Sequence, residues 1–210
     1  MKRKWIIISA VCSIFLIGCA AVGPIMSNVE KPDYKVLSSD QNIQIRQYTP
    51  MMLAEIEVKG VRENAVGQGF RLLADYIFGN NTASDEISAV KGTQQKQNKK
   101  IAMTAPVQQQ QTGSAWTISF VMPKEYEMET IPKPNNKNIK ISLEPSKRFV
   151  VIRFSGTYSN ENIAKHEKNL IDYVSENKIT TTGPPKYAFY NPPWTLPFMR
   201  RSEVMFQIAD

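Results

Sequence analysis

Cysteine and histidine are almost absent from this 210-residue chain, which contains two cysteines and one histidine. Both cysteines, Cys12 and Cys19, lie in the N-terminal segment, so the chain after residue 19 has no thiol. This distribution excludes disulfides, cysteine-ligated metals and thiolate catalysis from the body of the protein. The single His166 is too little for a multi-histidine metal site and is a thin basis for a catalytic triad.

A strong charge of one sign is also lacking. The formal net charge is +7, and it falls to +4 if the N-terminal segment is removed, because three of the 26 basic residues leave with it. The remaining lysines are scattered, and no aromatic residues alternate with them in the manner of a nucleic-acid-binding module. We therefore interpret these lysines as solvated surface and expect no nucleic-acid partner.

No apolar run is long enough to span a bilayer. Lys2-Arg3-Lys4 precedes an apolar run over residues 5–17, which is typical of a secretory signal. The run ends in Leu16-Ile17-Gly18-Cys19, which resembles a bacterial lipobox. That resemblance implies cleavage before Cys19 and lipidation of its thiol and amine, and several acyl chains anchor a protein stably. A plain cleaved signal and an uncleaved N-terminal anchor are the alternatives.

The chain is therefore predicted to have three parts. Residues 1–18 are the lipoprotein signal peptide, residues 19–31 are a tether of mostly small or polar residues, and residues 32–210 are one folded domain. The predicted location is the bacterial cell envelope, with a lipid anchor in the membrane. Ala20 stands where inner-membrane retention signals usually have Asp, which favours the periplasmic face of the outer membrane in a Gram-negative host.

The folded part contains one sequence unit used twice. Lys100–Val107 is matched by Lys186–Pro193, with Lys, Ala and Pro in step. Asn42–Gly60 pairs with Asn138–Gly156 at a constant offset of 96 residues and without a gap. Such a repeat predicts one pseudo-symmetric domain, and the place where its halves meet is where a ligand is first expected.

The two units extend over about 34–122 and 138–208, and each reads as strand–strand–helix–strand–strand. Polar and apolar residues alternate in Met51–Lys59, which is the period of a half-buried strand. The polar segment Thr82–Lys99 predicts a long loop. The predicted strands are 41–48, 51–59, 101–107 and 116–122 in the first unit, and 139–143, 149–154, 187–190 and 203–208 in the second.

Each unit also contains one predicted helix. The first is predicted to have its cap at Asn64 and to stop at Gly79, and the second runs from a cap at Ser159 or Asn160 to about Glu176. Two such units give about eight strands and two helices. The predicted fold class is α+β, a distorted antiparallel β-barrel with the helices packed on its outside.

Several segments resemble the SOUL haem-binding proteins. They are Ile45–Pro50, Gly69-Phe70 with Leu73–Asn81, Lys100–Val107, Ala188–Pro193 and Arg200–Val204. The resemblance covers Tyr34 to Ile208, and its most specific part is Met103-Thr104-Ala105-Pro106-Val107. It implies a barrel built by duplication and flanked by two helices, which binds haem or another tetrapyrrole.

The position that carries an axial histidine in some relatives lies between the Arg and Tyr of Arg46-Gln47-Tyr48. Here it is Gln47, a poor iron ligand. His166 lies at the border of the apolar stripe of the second helix, where a packing or surface role is the simpler interpretation. The resemblance therefore implies that haem is held mainly by apolar contacts, without a histidine ligand. Other axial ligands left open are the phenolates of Tyr48, Tyr187 and Tyr190 and the thioethers of Met103 and Met122.

The propionates of a porphyrin would need cations at the pocket rim, and Arg71, Arg200 and Arg201 are the candidates. The aromatic-rich segment from Tyr187 to Phe198 forms either a lip of the pocket or a plug in one end of the barrel. The predicted cofactor-binding residues are Arg71, Tyr48, Met103, Tyr187, Phe189, Tyr190, Trp194 and Arg200, with Cys19 as the lipidation site and no metal site in the protein.

No catalytic constellation is visible, since the chain has neither a nucleophile elbow nor a Gly-rich phosphate loop after a strand. The protein is predicted to be anchored in the cell envelope and to bind haem or a related porphyrin non-covalently. The alternatives are a binder or sensor of another amphipathic small molecule, or an enzyme that acts on it.

Overall fold

The computed structural model describes residues 28–83 and 98–209. The predicted signal peptide, the lipidation site Cys19 and most of the tether lie outside the described residues, as does most of the loop predicted at 82–99. Neither helix in the described part of the chain combines the length and apolar composition needed to cross a membrane.

Two helices and one large antiparallel sheet make up the fold. Nine strands follow each other in the order β1-β2-β9-β11-β10-β5-β6-β3-β8 and curl into a distorted half-barrel, while β4 and β7 pair separately. This confirms the predicted α+β class, with one strand more in the sheet than the predicted eight. The elements are β1 (Tyr34–Asp40), β2 (Ile43–Tyr48), β3 (Met51–Lys59), α1 (Arg62–Ile77), β4 (Asn81–Thr82), β5 (Val107–Thr112), β6 (Ala115–Val121), β7 (Lys133–Pro134), β8 (Lys140–Glu144), β9 (Lys147–Phe154), α2 (Asn160–Glu176), β10 (Thr181–Phe189), a 3-10 turn (Pro197–Met199) and β11 (Ser202–Ile208).

The strand order displays the sequence repeat as a pseudo-twofold arrangement. β5 and β10 pair at the centre, and β6 and β11, then β3 and β9, then β8 and β2 follow outward on the two sides. The first strand of each repeat pairs with the second strand of the other, since β2 lies beside β9 and β8 beside β3. The extra strand, β1, continues the sheet beyond β2. The two repeats are therefore interlocked in one sheet.

The strand predicted from Ile101 begins only at Val107, and it continues through the glutamines 108–111 that were predicted as a connecting loop. β5 has neighbours on both sides, β6 and β10, so its backbone groups are paired in the ladder. Gln108 and Gln109 are buried there despite their polarity. Because these residues are all polar, the alternation of apolar and polar residues that predicts a strand is missing, although β5 lies at the centre of the sheet.

The predicted ends of the two helices agree only in part with the structure. Ser159 caps α2 as predicted, accepting a hydrogen bond on its hydroxyl from the Asn162 amide at 3.3 Å. The cap predicted for α1 at Asn64 is wrong, because this helix already begins at Arg62 and Val61 occupies the cap position. Gly79 follows the end of α1 with a φ of +125°, in agreement with its predicted role as a stop.

The core lies on both faces of the sheet. One apolar cluster joins α1 to β3 and β6, and a second joins α2 to β9, β10 and β11. A third cluster, which includes Tyr48, Phe149, Val151 and Tyr190, lies on the face of the sheet away from the helices. Neighbouring residues of one strand thus belong to different clusters, as the two-residue period of a strand requires.

Candidate ligand-binding site

The first turns of the two helices meet above the central strands of the sheet. The Arg62 guanidinium donates one hydrogen bond to Asn160 Oδ1 on α2 at 3.0 Å and one to Gln109 Oε1 on β5 at 2.9 Å. Asn160 in turn donates to the carboxylate of Glu63. Arg62 therefore joins both helices to the central strand, at the place where the two repeats meet.

A cavity of about 530 Å³ opens beside this junction, and we call it the seam pocket. Its volume is within the range of small-molecule sites in proteins. Its apolar part comes from α1, from the central strands and from the segments that flank α2 and β10. The lining residues are Arg62, Glu63, Val66, Gly67, Phe70, Arg71, Val107, Gln109, Tyr158, Phe189, Asn191 and Pro193.

The polar edge of the seam pocket favours a negatively charged group. Arg62 and Arg71 supply two guanidinium groups, against one carboxylate from Glu63. Burial lowers the pKa of Arg62, while Tyr187 and Glu63 act in the opposite direction. Its Nε is buried and has no hydrogen-bond partner in the described protein, and Val61 offers no side-chain acceptor to the first turn of α1. The positive ends of two helix dipoles lie at the same place.

Four of the predicted site residues lie in or around the seam pocket. Arg71 and Phe189 line it directly. Tyr187 lies near Arg62, whose guanidinium carbon is 5.8 Å from the ring centre, and its hydroxyl donates to Glu167 at 2.8 Å. Arg200 stacks at 4.5 Å on the ring of Tyr158, which is itself a lining residue.

The other predicted site residues lie elsewhere. Trp194 directly follows the lining residue Pro193, and its side chain is exposed. Met103 is also exposed and does not line the pocket. Tyr48 and Tyr190 belong to the core cluster on the sheet face away from the helices.

Tyr48 and Tyr190 take part in a buried polar cluster on that face. Glu203 is fully buried and accepts hydrogen bonds from Arg46 at 3.0 Å, from Arg201 at 2.7 and 2.9 Å, and from the Tyr190 hydroxyl at 2.8 Å. Arg46 also donates to the Tyr48 hydroxyl at 3.1 Å. Burial raises the pKa of Tyr48 to about 12 and that of Tyr190 well above its ordinary value. Both hydroxyls are engaged in this cluster, and the raised pKa of each opposes the ionisation that phenolate coordination of iron requires.

His166 has the surroundings of a packing residue. Its ring stacks on Phe154 with the centres 4.2 Å apart, and burial lowers its pKa, assisted by Lys165. Gln47 donates to the Ser146 hydroxyl at 2.6 Å and is not part of the seam pocket. Within 28–83 and 98–209, no three His, Cys, Asp or Glu side chains are grouped so that they could hold a metal ion.

Sequence reasoning missed Arg62, Val66, Tyr158 and Gln109 as lining residues. Each is unremarkable in its own segment, and they come from two elements, α1 and β5, and from the loop before α2. One signal could have found two of them: at the repeat's offset of 96 residues Arg62 corresponds to Tyr158, so both mark the entry to the helix of their unit. A search of residues near the axis of the duplication would have reached this junction.

Comparison with known proteins agrees with the family indicated by the motifs. The model of the family described as SOUL heme-binding protein matches residues 29–207. No curated protein matches this chain.

Solved structures with the same fold have very different sequences. The crystal structure of the EcmrR C-terminal domain is similar with a TM-score of 0.51 at 12% identity, covering 84% of this chain and 98% of that one. An uncharacterised conserved protein from Listeria innocua gives 0.53 at 11% identity, and a hydrolase from the same organism gives 0.52 at 9%. In both cases 82% of this chain and 94% of the other are covered. At such identities the likeness establishes the fold alone.

Proposed function

Because this chain belongs to the SOUL heme-binding protein family, we propose that it binds haem or a related tetrapyrrole in the seam pocket, mainly through apolar contacts. The observation that carries the proposal is the combination of an apolar cavity with an arginine edge at the junction of the repeats. The family supplies the class of ligand, and the pocket supplies a place in this chain with matching chemistry.

The apolar wall would hold the flat face of the macrocycle. The apolar surface in the pocket comes from Val66, Phe70, Val107 and Phe189. Each Å² of apolar area removed from water contributes about 25 cal/mol, so a large flat ring gains much of its affinity from burial. Phe70 is itself supported by Phe120, whose ring lies 5.5 Å away in an edge-on arrangement.

The arginine edge would receive the propionates. The unpartnered Nε of Arg62 is a buried donor with no acceptor in the described residues, which a ligand carboxylate would satisfy. Arg71, one of the predicted cations, lines the same cavity. Charge-assisted hydrogen bonds of this kind are stronger than neutral ones and would fix the orientation of the ring.

The lining offers iron no strong axial ligand. It contains no His, Cys or Met, and its phenol belongs to Tyr158, whose pKa is raised by burial and whose hydroxyl donates to the Asn191 carbonyl at 2.8 Å. We therefore expect metal-free porphyrin to bind about as tightly as haem. The same lining suits other flat amphipathic anions, which is the second candidate function, and competition between them and porphyrin separates the two.

We propose that the protein acts in the bacterial envelope and binds its ligand rather than converting it as an enzyme. The signal-like N-terminus ending in Cys19 supports a lipid anchor. A binder returns its ligand chemically unchanged and in stoichiometric amount, whereas release of a modified porphyrin on repeated turnover would contradict this assignment.

Haem titration of two matched variants tests the site. Phe70 and Phe78 are both exposed aromatic residues of the α1 region, but only Phe70 lines the pocket. We expect Phe70→Ser to weaken haem binding by about tenfold or more, corresponding to ~1.4 kcal/mol or more, while Phe78→Ser leaves it unchanged. Thermal melting checks that both variants remain folded.

The spectrum of the bound haem tests the ligation. A broad, weakly shifted Soret band is expected, and His166→Ala should leave the affinity nearly unchanged. In the titration, equal haem affinities of Phe70→Ser and Phe78→Ser would refute the assignment of the binding site to the seam pocket. A sharp six-coordinate low-spin spectrum that His166→Ala abolishes would refute binding without a histidine ligand.

A further inference from the structure

The loop between β10 and β11 exposes its apolar residues and buries a polar one. We call residues 192–199 the apolar loop. Trp194 is 60% exposed and Phe198 74% exposed, and Leu196 and Met199 are exposed as well, whereas Thr195 is only 2% exposed. Four of the thirteen large exposed apolar side chains in the described parts of the chain fall within these few positions. A surface adapted to water alone would have the opposite arrangement.

This conformation is held by a set of hydrogen bonds. The Arg200 guanidinium donates to the Thr195 carbonyl at 2.7 Å and to the Pro193 carbonyl at 2.6 Å. The Gly156 amide, at the end of β9, donates to the Pro197 carbonyl at 2.9 Å. The exposed side chains are thus presented by a braced loop, so little ordering is needed when they meet a partner.

The surface next to the apolar loop is positively charged. Phe198 and Met199 line a cavity of about 550 Å³ together with Arg46, Arg153 and Arg200, and no carboxylate lines it. Arg46 is buried and paired with Glu203, which leaves Arg153 and Arg200 to face an anion. Aromatic and aliphatic side chains beside arginines are the composition that binds the interface of an anionic bilayer.

We propose that the apolar loop inserts into the headgroup region of a bilayer that contains anionic lipids. Trp194 and Phe198 would reach below the headgroups, while Arg153 and Arg200 would contact lipid phosphates. This contact is independent of the lipid anchor and of the ligand in the seam pocket. Pro193 also lines that pocket, so the contact would bring the mouth of the pocket to the membrane surface.

Quenching of tryptophan fluorescence by brominated acyl chains tests the insertion, because bromine quenches only at close range. The full chain, carrying Trp5→Phe so that no tryptophan of the N-terminal apolar run contributes, would be reconstituted into vesicles that contain phosphatidylglycerol as the anionic lipid. We expect strong quenching that Trp194→Phe removes in large part. Trp116→Phe is the matched control, since Trp116 lies in β6, and it should leave the quenching intact.

A second variant keeps the reporter and removes the insertion. Phe198→Asp retains Trp194, and we expect it to lower the quenching several-fold and to shift the emission to longer wavelength. Arg153→Glu should weaken the quenching in anionic vesicles. Equal quenching in wild type, Trp194→Phe and Phe198→Asp would overturn the proposal, as would a dimer in analytical ultracentrifugation that Phe198→Asp converts to a monomer. Neither result bears on haem affinity.

Discussion

Glu203 is the residue on which the polar interior of this protein depends. It is fully buried, and Arg46, which is 2% exposed, donates to the same carboxylate as Arg201. Charges so far from water are costly unless paired, and here each acidic oxygen has a donor. Tyr190 follows the last residue of β10, and its hydroxyl donates the remaining hydrogen bond to Glu203. A tyrosine that was a candidate iron ligand therefore serves as a hydrogen-bond donor.

Glu203→Gln should strongly destabilise the protein. The variant leaves the Arg46 guanidinium buried without an opposite charge, and breaking a buried pair in this way costs about 3–5 kcal/mol. Urea unfolding measures the loss. Asp172→Asn, which breaks the exposed pair with Lys168 on α2, is the control and should cost about 0.5 kcal/mol or less. Similar losses in the two variants would contradict the role given to Glu203.

Helix α1 depends on one close approach to the sheet. A Cβ placed on Gly69 would be 2.8 Å from two side-chain carbons of Ile118 on β6, whereas one placed on Gly67 would meet nothing closer than an Arg71 nitrogen at 3.9 Å. Both glycines lie inside the same helix, where glycine is an unfavourable residue. Close packing on Ile118 explains the glycine at position 69, and no such contact explains the glycine at position 67.

Gly69→Ala and Gly67→Ala should therefore change stability in opposite directions. We expect Gly69→Ala to destabilise the protein by about 1–3 kcal/mol, because the branched Ile118 cannot move aside freely. Gly67→Ala should stabilise it by about 0.5–1 kcal/mol through helix propensity alone. Thermal or urea unfolding compares the two. Stabilisation by both substitutions would show that α1 can shift away from β6.

At the scale of the whole molecule, the exchange of strands between the repeats decides where the seam pocket lies. β2 pairs with β9 and β8 with β3, so neither repeat has a complete sheet of its own. The central pair β5–β10 lies on the axis of the duplication, and both helices direct their first turns toward it. A pocket at this place draws residues from both copies of the sequence unit.

The proposed lipid anchor is tested by changing one cysteine at a time. Cys19→Ser should release the protein into the soluble envelope fraction or leave unprocessed precursor, while Cys12→Ser should leave anchoring unchanged, because only Cys19 ends the lipobox-like segment. Membrane fractionation and mass spectrometry of the N-terminus give the result. An unmodified wild-type chain that begins at another residue would contradict lipidation. Neither substitution should alter the melting temperature, since both residues precede the folded domain.

The candidate site could be predicted only in part. Arg71 and Phe189 were expected to bind the cofactor, and both line the seam pocket. Arg62 was not expected, because its role depends on Gln109 and Asn160, which are 47 and 98 residues away in the chain. No local pattern contains such a contact.

The sequence by itself determined the duplication, the two helices and the family, because periodicity and motif spacing are local properties of a chain. Only the tertiary structure decided which face of the sheet each residue occupies. Phe189 and Tyr190 are neighbours with similar side chains, yet one lies in the pocket and the other reaches Glu203 on the opposite face. Alternation along a strand requires such a separation, but only the packing of helices on one side shows which face holds the pocket.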